Sequence, residues 1–226
     1  MNQKEAAARR ALDYVKSGMI LGLGSGSTAA YFVDMLGVMV SSGELTDIQG
    51  IPTSRATAER AREWGIPLTT LAENPILDLA VDGADEVDPN LNLIKGLGRA
   101  ALREKIVESH AKRLIIIVDE SKIVDKLGRG PLPVEIIQFE HETHIRWLRS
   151  LGCKAELWLE DDGSPIVTDN GNYLVRCWFA DGIGDADRLS MTLSTRPGIV
   201  GHGLFLNMAD TIIVAGNEGV QIIGQS

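Results

Sequence analysis

Four short, largely apolar runs, each closed by or lying beside glycine or aspartate, constrain the fold of this chain more than any other feature. Met19–Leu23 runs into glycines, Ile76–Val81 into Asp82-Gly83-Ala84-Asp85, and Leu114–Val118 into Asp119-Glu120-Ser121-Lys122. Thr211–Ala215 lies between Gly201 and Gly216. Short apolar runs without alternation mark strands buried on both faces, as in parallel sheets. Gln3–Val15, Ser27–Val40, Thr57–Trp64 and Gly98–His110 instead read as helices, from apolar spacing and stop signals. Strands alternating with helices imply βαβ units: an α/β fold with a Rossmann-like, mostly parallel sheet flanked by helices.

The pattern changes after Gly128. Gly130-Pro131-Leu132-Pro133 reads as a linker and His141–Leu151 as a helix. Short strands follow, with turn signals at Asp162-Gly163 and Asn170-Gly171, then a further helix over Asp187–Leu193. The expected organisation is an α/β domain of residues 1–129 and 203–226 that carries the chemistry. A smaller α+β domain, 130–202, is inserted into it. A length of 226 residues suits one sizeable core with a smaller lobe. The formal charge of −9 argues against nucleic acid or an anionic membrane as partner, while leaving room for a locally positive pocket. No run approaches the ~20 apolar residues that span a bilayer, and the charged N-terminal segment lacks a signal-peptide core. Cys153 and Cys177, the two cysteines, read as small apolar fillers, so the expected compartment is a reducing cytoplasm.

Gly22-Leu23-Gly24-Ser25-Gly26-Ser27-Thr28 joins a strand to a helix. Glycines let backbone N–H groups approach an anion, Ser25, Ser27 and Thr28 add hydroxyls, and the helix presents its positive end. Ser27 stands where a dinucleotide fingerprint has its third glycine, and no Gly-Lys-Ser/Thr follows, so neither a dinucleotide nor a Walker loop fits. The plainer reading is a tight turn capped by a serine. Asp82-Gly83-Ala84-Asp85-Glu86 closes the next strand, on the edge where open parallel sheets bind ligands. Its aspartates suit sugar hydroxyls or proton transfer; otherwise they cap a turn, with Glu86 and Asp88 solvated. Lys95-Gly96-Leu97-Gly98-Arg99 leads into a helix on which Glu104 shares the small-residue stripe of Ala100 and Ala101. A carboxylate so placed suits a general base; in a charged run such as Arg103-Glu104-Lys105 it is more often a surface group. Lys122 is either a point charge for phosphate or a solvated lysine at a helix start.

Two signals are set aside. His141-Glu142-Thr143-His144 spaces its histidines three apart rather than four and reads as a surface helix face. Asp181–Asp187 does not fit a calcium loop, and Asp185 is accounted for as a helix cap. Taken together, donors, aspartates, lysines and a glutamate are expected to converge at one crevice, with no metal and no cofactor.

At this point the chain resembles the type A ribose-5-phosphate isomerases. The resemblance rests on Gly22–Thr28 with Ala29-Ala30, Ile51-Pro52-Thr53-Ser54 and Val81–Glu86. It continues through Lys95-Gly96 with Leu102–Lys105, Val118–Lys122, Pro133-Val134-Glu135 and Gly201–Phe205. It implies interconversion of D-ribose 5-phosphate and D-ribulose 5-phosphate, a step of the pentose phosphate pathway, through a cis-enediolate. Glu104 would be the proton acceptor, and Asp82, Asp85 and Lys95 would contact the sugar and stabilise the oxyanion. Ser25, Gly26, Ser27, Thr28 and Lys122 would bind substrate mainly at its phosphate, with Gly83, Ala84, Gly96 and Gly98 beside it. A homodimer or homotetramer is implied too. Leu97 departs from the family's glycine-rich pattern and puts the loop's backbone geometry in question. Arg99 departs from its small residue, to face solvent or supply a cation. A sugar-phosphate sensor and a coenzyme A transferase on a related sheet are the alternatives. The first is disfavoured by Glu104 and the aspartates together with the lack of a DNA-binding segment, and the second would need a glutamate nucleophile and a larger ligand site.

Overall fold

The computed structural model describes residues 2–224. The chain opens with α1 (Gln3–Leu12), β1 (Ile20–Leu23), α2 (Ser27–Ser41), β2 (Gln49–Pro52), α3 (Arg55–Glu63) and β3 (Leu79–Asp82). It continues with β4 (Glu86–Val87), β5 (Leu93–Ile94), α4 (Ala101–Glu108), β6 (Leu114–Asp119) and a 3-10 turn over Glu120–Lys122. Then come β7 (Leu132–Ile136), α5 (His141–Ser150), β8 (Lys154–Leu157), β9 (Tyr173–Trp178) and α6 (Ala186–Ser194). The last elements are β10 (Ile199–His202), β11 (Leu204–Phe205), β12 (Thr211–Gly216) and β13 (Gly219–Gly224).

Two compact units result. The first comprises the described residues up to Ala84, Arg103–Ile123, and those from Met208 on; the second comprises Asp85–Leu102 and Val124–Asn207. The expected boundaries at 129/130 and 202/203 left residues 85–102, 124–129 and 203–207 with the first unit. The observed boundaries instead cut the Asp82–Glu86 motif and the helix that carries Glu104.

The first unit is built on a six-stranded sheet ordered β13-β12-β6-β3-β1-β2, parallel except for β13. Alternate residues of its central strands (Leu21, Leu23, Val81, Ile115, Ile117, Ile213) pack with Ala7, Ala11, Phe32, Val33 and Leu36 of α1 and α2. The opposite face meets α4: a Cβ on Gly22 would lie 3.2 Å from Val107 and 2.8 Å from Ala80. Helices therefore cover both faces, as expected of parallel strands. From β1 the chain crosses to β2 on one side and then to β3 on the other. The order reverses between β1 and β3, and in open α/β sheets ligands bind at the carboxyl ends of such a pair.

The second unit holds a four-stranded sheet, β10-β7-β9-β8, antiparallel throughout, and a small three-stranded one, β11-β5-β4. Val134, Ile136, Val175, Cys177 and Ala155 from one face of the larger sheet pack with Ile145 and Leu148 of α5 and Leu193 of α6.

Several local expectations change. The strand expected over Ile76–Val81 begins at Leu79, and Ile76 is 60% exposed. The linker Gly130–Pro133 runs into β7: Pro133 stands opposite Arg176, and its carbonyl accepts the Gly203 N–H at 2.8 Å. α4 is shorter than the expected Gly98–His110. His144 lies on the buried side of α5 rather than on a surface face. Asp185 does cap α6, accepting from Arg188 N at 2.9 Å. Among the described residues no helix is long and apolar enough to cross a membrane.

Candidate active site

The registers of β1 and β3 place Leu23 beside Val81, which sets the β1–α2 turn against the last residue of β3, Asp82. Gly24 N donates to Val81 O at 3.0 Å. A Cβ on Gly24 would lie 2.2 Å from the Asp82 carboxyl carbon, so only glycine fits there. Ser25 N donates to Asp82 Oδ1 at 2.9 Å. The Ser25 hydroxyl is turned towards the β2–α3 turn, where it meets Thr53 Oγ1 at 2.7 Å and Ser54 Oγ at 2.8 Å. Ser25 thus braces the loop rather than offering its hydroxyl outward.

The N-cap of α2 is Gly26, at φ 92 and ψ 179, a conformation open almost only to glycine, and no side chain caps the helix. The serine-capped turn is therefore not what forms. The first N–H groups of a 15-residue helix have no intrahelical partner, and α2 carries no acid in its first turn, which leaves this end suited to an anion. Ser27 is exposed and Thr28 half-buried at this end. Lys4 of α1 donates from Nζ to Ser27 Oγ at 2.8 Å, adding a cation that the sequence reading missed. Lys122 ends the 3-10 turn after β6, in the same unit, half-buried.

Asp82 is fully buried, with Oδ1 accepting from Ser25 N and, at 2.6 Å, from Gly83 N. Glu104 and Glu108 are four residues apart on α4, hence on one face, and each is 3% exposed. One carboxylate oxygen from each of Asp82, Glu104 and Glu108 lies within 4.8 Å of the others. At that spacing like charges repel by roughly 3 kcal/mol per pair at an effective dielectric of about 20. Such a cluster can hold a proton, or accept a hard cation. Beside it, burial pushes the Lys105 ammonium down to about 8, against the opposing pull of Glu108. Glu108 also escaped the sequence reading; the signal was its i+4 spacing from Glu104.

In the second unit, Asp85 Oδ2 accepts the Leu97 N–H at 2.9 Å, and Asp85 N donates to Ile94 O at 2.8 Å. Lys95 is buried, with Nζ 5.3 Å from the centre of the Phe205 ring and its N–H donating to Gly203 O at 2.9 Å. Gly203 is needed there, since a Cβ would lie 2.2 Å from Lys95 O. Gly96 adopts φ 106, whereas Gly98 is exposed with open space around it. Leu97 does not break the loop: its amide serves Asp85 and its side chain is half-buried. Arg99 is paired with Glu160 and so is not an uncommitted cation.

Residues 49–219 match the ribose 5-phosphate isomerase A (phosphoriboisomerase A) family. The chain is 50% identical over 218 residues to ribose-5-phosphate isomerase A of Roseiflexus castenholzii, covering 96% of this chain and 93% of that one. The chain belongs to the ribose 5-phosphate isomerase A family. It is 48% identical over 226 residues to the probable ribose-5-phosphate isomerase 3, chloroplastic, of Arabidopsis thaliana, covering 97% and 82% of the two chains. A D-ribose-5-phosphate isomerase solved in complex with phospho-erythronic acid superposes with a TM-score of 0.95 at 42% identity over 100% of both chains. Ribose 5-phosphate isomerase A of Methanocaldococcus jannaschii gives a TM-score of 0.93 at 41% identity, covering 99% and 98%.

For this isomerase, the first unit carries Ser25, Gly26, Ser27, Thr28, Asp82, Gly83, Ala84, Glu104 and Lys122; Asp85, Lys95, Gly96 and Gly98 belong to the second. Asp82 and Glu104, far apart in sequence, come within 4.8 Å as one buried pair. Glu86, solvated in the plainer reading of its motif, is instead 3% exposed, and its carboxylate accepts the backbone N–H groups of Gly128, Arg129 and Gly130. It is a structural post for the chain entering β7.

Proposed function

We propose that this isomerase interconverts D-ribose 5-phosphate and D-ribulose 5-phosphate, in the non-oxidative pentose phosphate pathway, through a cis-enediolate with Glu104 as the base. The observation that carries the reading is the buried approach of Asp82 and Glu104 within 4.8 Å, at the strand pair where the sheet order reverses. The relatives' names support the substrate, and the phospho-erythronic acid bound to one of them is a sugar-acid phosphate whose planar carboxylate resembles an enediolate.

The phosphate sits at the N-terminus of α2, against the N–H groups and hydroxyls of Ser27 and Thr28, with Lys4 and Lys122 supplying positive charge. Gly26 and Ser25 shape that cradle. Asp82 and Asp85 hold sugar hydroxyls and assist ring opening, with Gly83, Ala84, Gly96 and Gly98 beside the sugar. Glu104 removes the C2 proton, giving the enediolate; the O2 hydroxyl proton passes to O1, and Glu104 returns its proton at C1 to leave the C2 ketone. Lys95 stabilises the developing oxyanion, an interaction strongest where water is excluded. No step is routed through a cofactor or a metal. The same reading makes the protein a cytoplasmic homodimer or homotetramer, with both cysteines free.

The test is to incubate the pure protein with ribose 5-phosphate and follow ketose formation, with and without a chelator. Turnover unaffected by the chelator is expected. Absence of turnover would overturn the isomerase reading, and binding without turnover would turn it towards a sensor. Loss of activity with chelator, restored by a divalent cation, would assign the carboxylate cluster to a metal.

A further inference from the structure

Arg99 adopts φ 68, a left-handed conformation that a side chain with a Cβ takes at a cost and keeps only where its surroundings impose it. Its N–H closes the turn on Gly96 O at 2.9 Å. Its guanidinium forms a fork with the Glu160 carboxylate, Nη1 to Oε1 at 2.6 Å and Nη2 to Oε2 at 3.1 Å. It also lies 5.6 Å from the centre of the Trp158 ring, which Arg176 approaches at 5.2 Å.

The receiving element is itself fixed. Trp158 N donates to Leu174 O of β9 at 2.8 Å, Ile166 N to Trp158 O at 2.9 Å, and Glu160 N to Ser164 O at 2.8 Å. One side of the loop therefore carries Lys95 and holds Asp85 through the Leu97 amide, while the other is pinned to a hydrogen-bonded hairpin. An exposed ion pair is usually worth little, but a bidentate fork combined with an aromatic contact fixes direction as well as distance. Lysine could not reproduce it.

We propose that Arg99, forked onto Glu160 over Trp158, is a positioning residue that holds the Lys95–Arg99 loop, and with it Lys95 and Asp85, in the geometry that isomerisation uses. This rests on the reading above that Lys95 and Asp85 act on the substrate.

Arg99→Gly isolates the clamp, because glycine accepts φ 68 without strain and this relief offsets the extra chain entropy that glycine loses on folding. The expected result is a fall in kcat of about fivefold to tenfold, with KM within about twofold of wild type and the melting temperature not lowered. Arg99→Lys is expected to leave most of the loss in place. Glu160→Gln should reproduce part of it and add nothing to Arg99→Gly, as expected for one interaction unit. Wild-type kcat in both Arg99→Gly and Glu160→Gln would overturn the proposal. So would a lower melting temperature with kcat per folded molecule unchanged, which would make Arg99 a structural brace. Lys95→Ala and Asp85→Asn, assayed in parallel, separate the two levels. If they turn over like wild type, the reading of the loop fails; if they are inactive while Arg99→Gly is normal, only the clamp fails.

Discussion

Replacing Gly24 by alanine puts a single methyl group against the centre of the site. The added Cβ would lie 2.2 Å from the Cγ and Oδ1 of Asp82 and 2.5 Å from its Cβ. Carbon atoms rest about 3.5 Å apart or more, so the carboxylate has to retreat by more than about 1 Å. It has no open space to enter, being fully buried. Retreat breaks the bonds from Ser25 N and Gly83 N, and hydrogen bonds to a charged group contribute roughly 1.5–3 kcal/mol each. The predicted destabilisation is about 3–5 kcal/mol, once partial relaxation is allowed for. For a chain of this length that corresponds to a fall of roughly 10 °C in the melting temperature. On the proposed reading, in which Asp82 holds the substrate, a displacement of about 1 Å is expected to lower kcat by about a hundredfold. Gly26→Ala is the control. It meets no atom within 4 Å and leaves Asp82 in place, so backbone strain of about 1–3 kcal/mol should raise KM with little change in kcat. Thermal unfolding followed by circular dichroism, with steady-state ketose formation on the folded protein, reads both effects. Gly24→Ala melting and turning over like wild type would refute the account of the β1–β3 junction.

Other outcomes follow from the same geometry. Lys4→Ala removes the ammonium 2.8 Å from Ser27 Oγ and should raise KM for ribose 5-phosphate about tenfold with kcat nearly unchanged, in steady-state assays. Glu86→Gln leaves an amide where three backbone N–H groups need acceptors, and should cost about 2–4 kcal/mol in denaturant titration. Lys105 gives a pH signature: its folded value of about 8 lies below the unfolded 10.5, so between those limits the unfolded chain holds a proton that the folded one has released. Stability relative to Lys105→Met should therefore rise with pH across that window, by at most about 3 kcal/mol, and a flat difference would contradict the burial assigned to this lysine.

What could be read from sequence divides along a physical line. The strands β3, β6 and β12 announce themselves because burial on both faces demands unbroken apolar residues, as in Leu114–Val118. The β2 strand, Gln-Gly-Ile-Pro, and the two-residue β4 and β5 carry no such run; their pairing is set by neighbours that only the fold supplies. β13 has every position exposed, so hydrophobic burial leaves little mark on it. Pro133 misled, because proline reads as a linker although its carbonyl is what the adjacent segment at Gly203 uses. Asp82 and Glu104 were legible as a motif end and a helix stripe. Lys4 was not, since a charged residue on a helix looks alike whether it meets solvent or a side chain 23 residues away in the chain; Glu108 was marked only by its i+4 spacing from Glu104. The Ser25 hydroxyl pointed the wrong way in the sequence reading, because its partners Thr53 and Ser54 lie beyond a helix and a strand.

The central claim is that Glu104, buried beside Asp82, carries the proton between C2 and C1. It is tested most directly by running the reaction in deuterium oxide and following deuterium at the C2 and C1 positions by NMR. Wild type should incorporate solvent deuterium as ketose forms. Glu104→Gln, which keeps the shape but loses the base, should bind ribose 5-phosphate with near-normal affinity while isomerisation and incorporation fall by at least about a thousandfold. Incorporation and ketose formation at wild-type rates in Glu104→Gln would contradict the account.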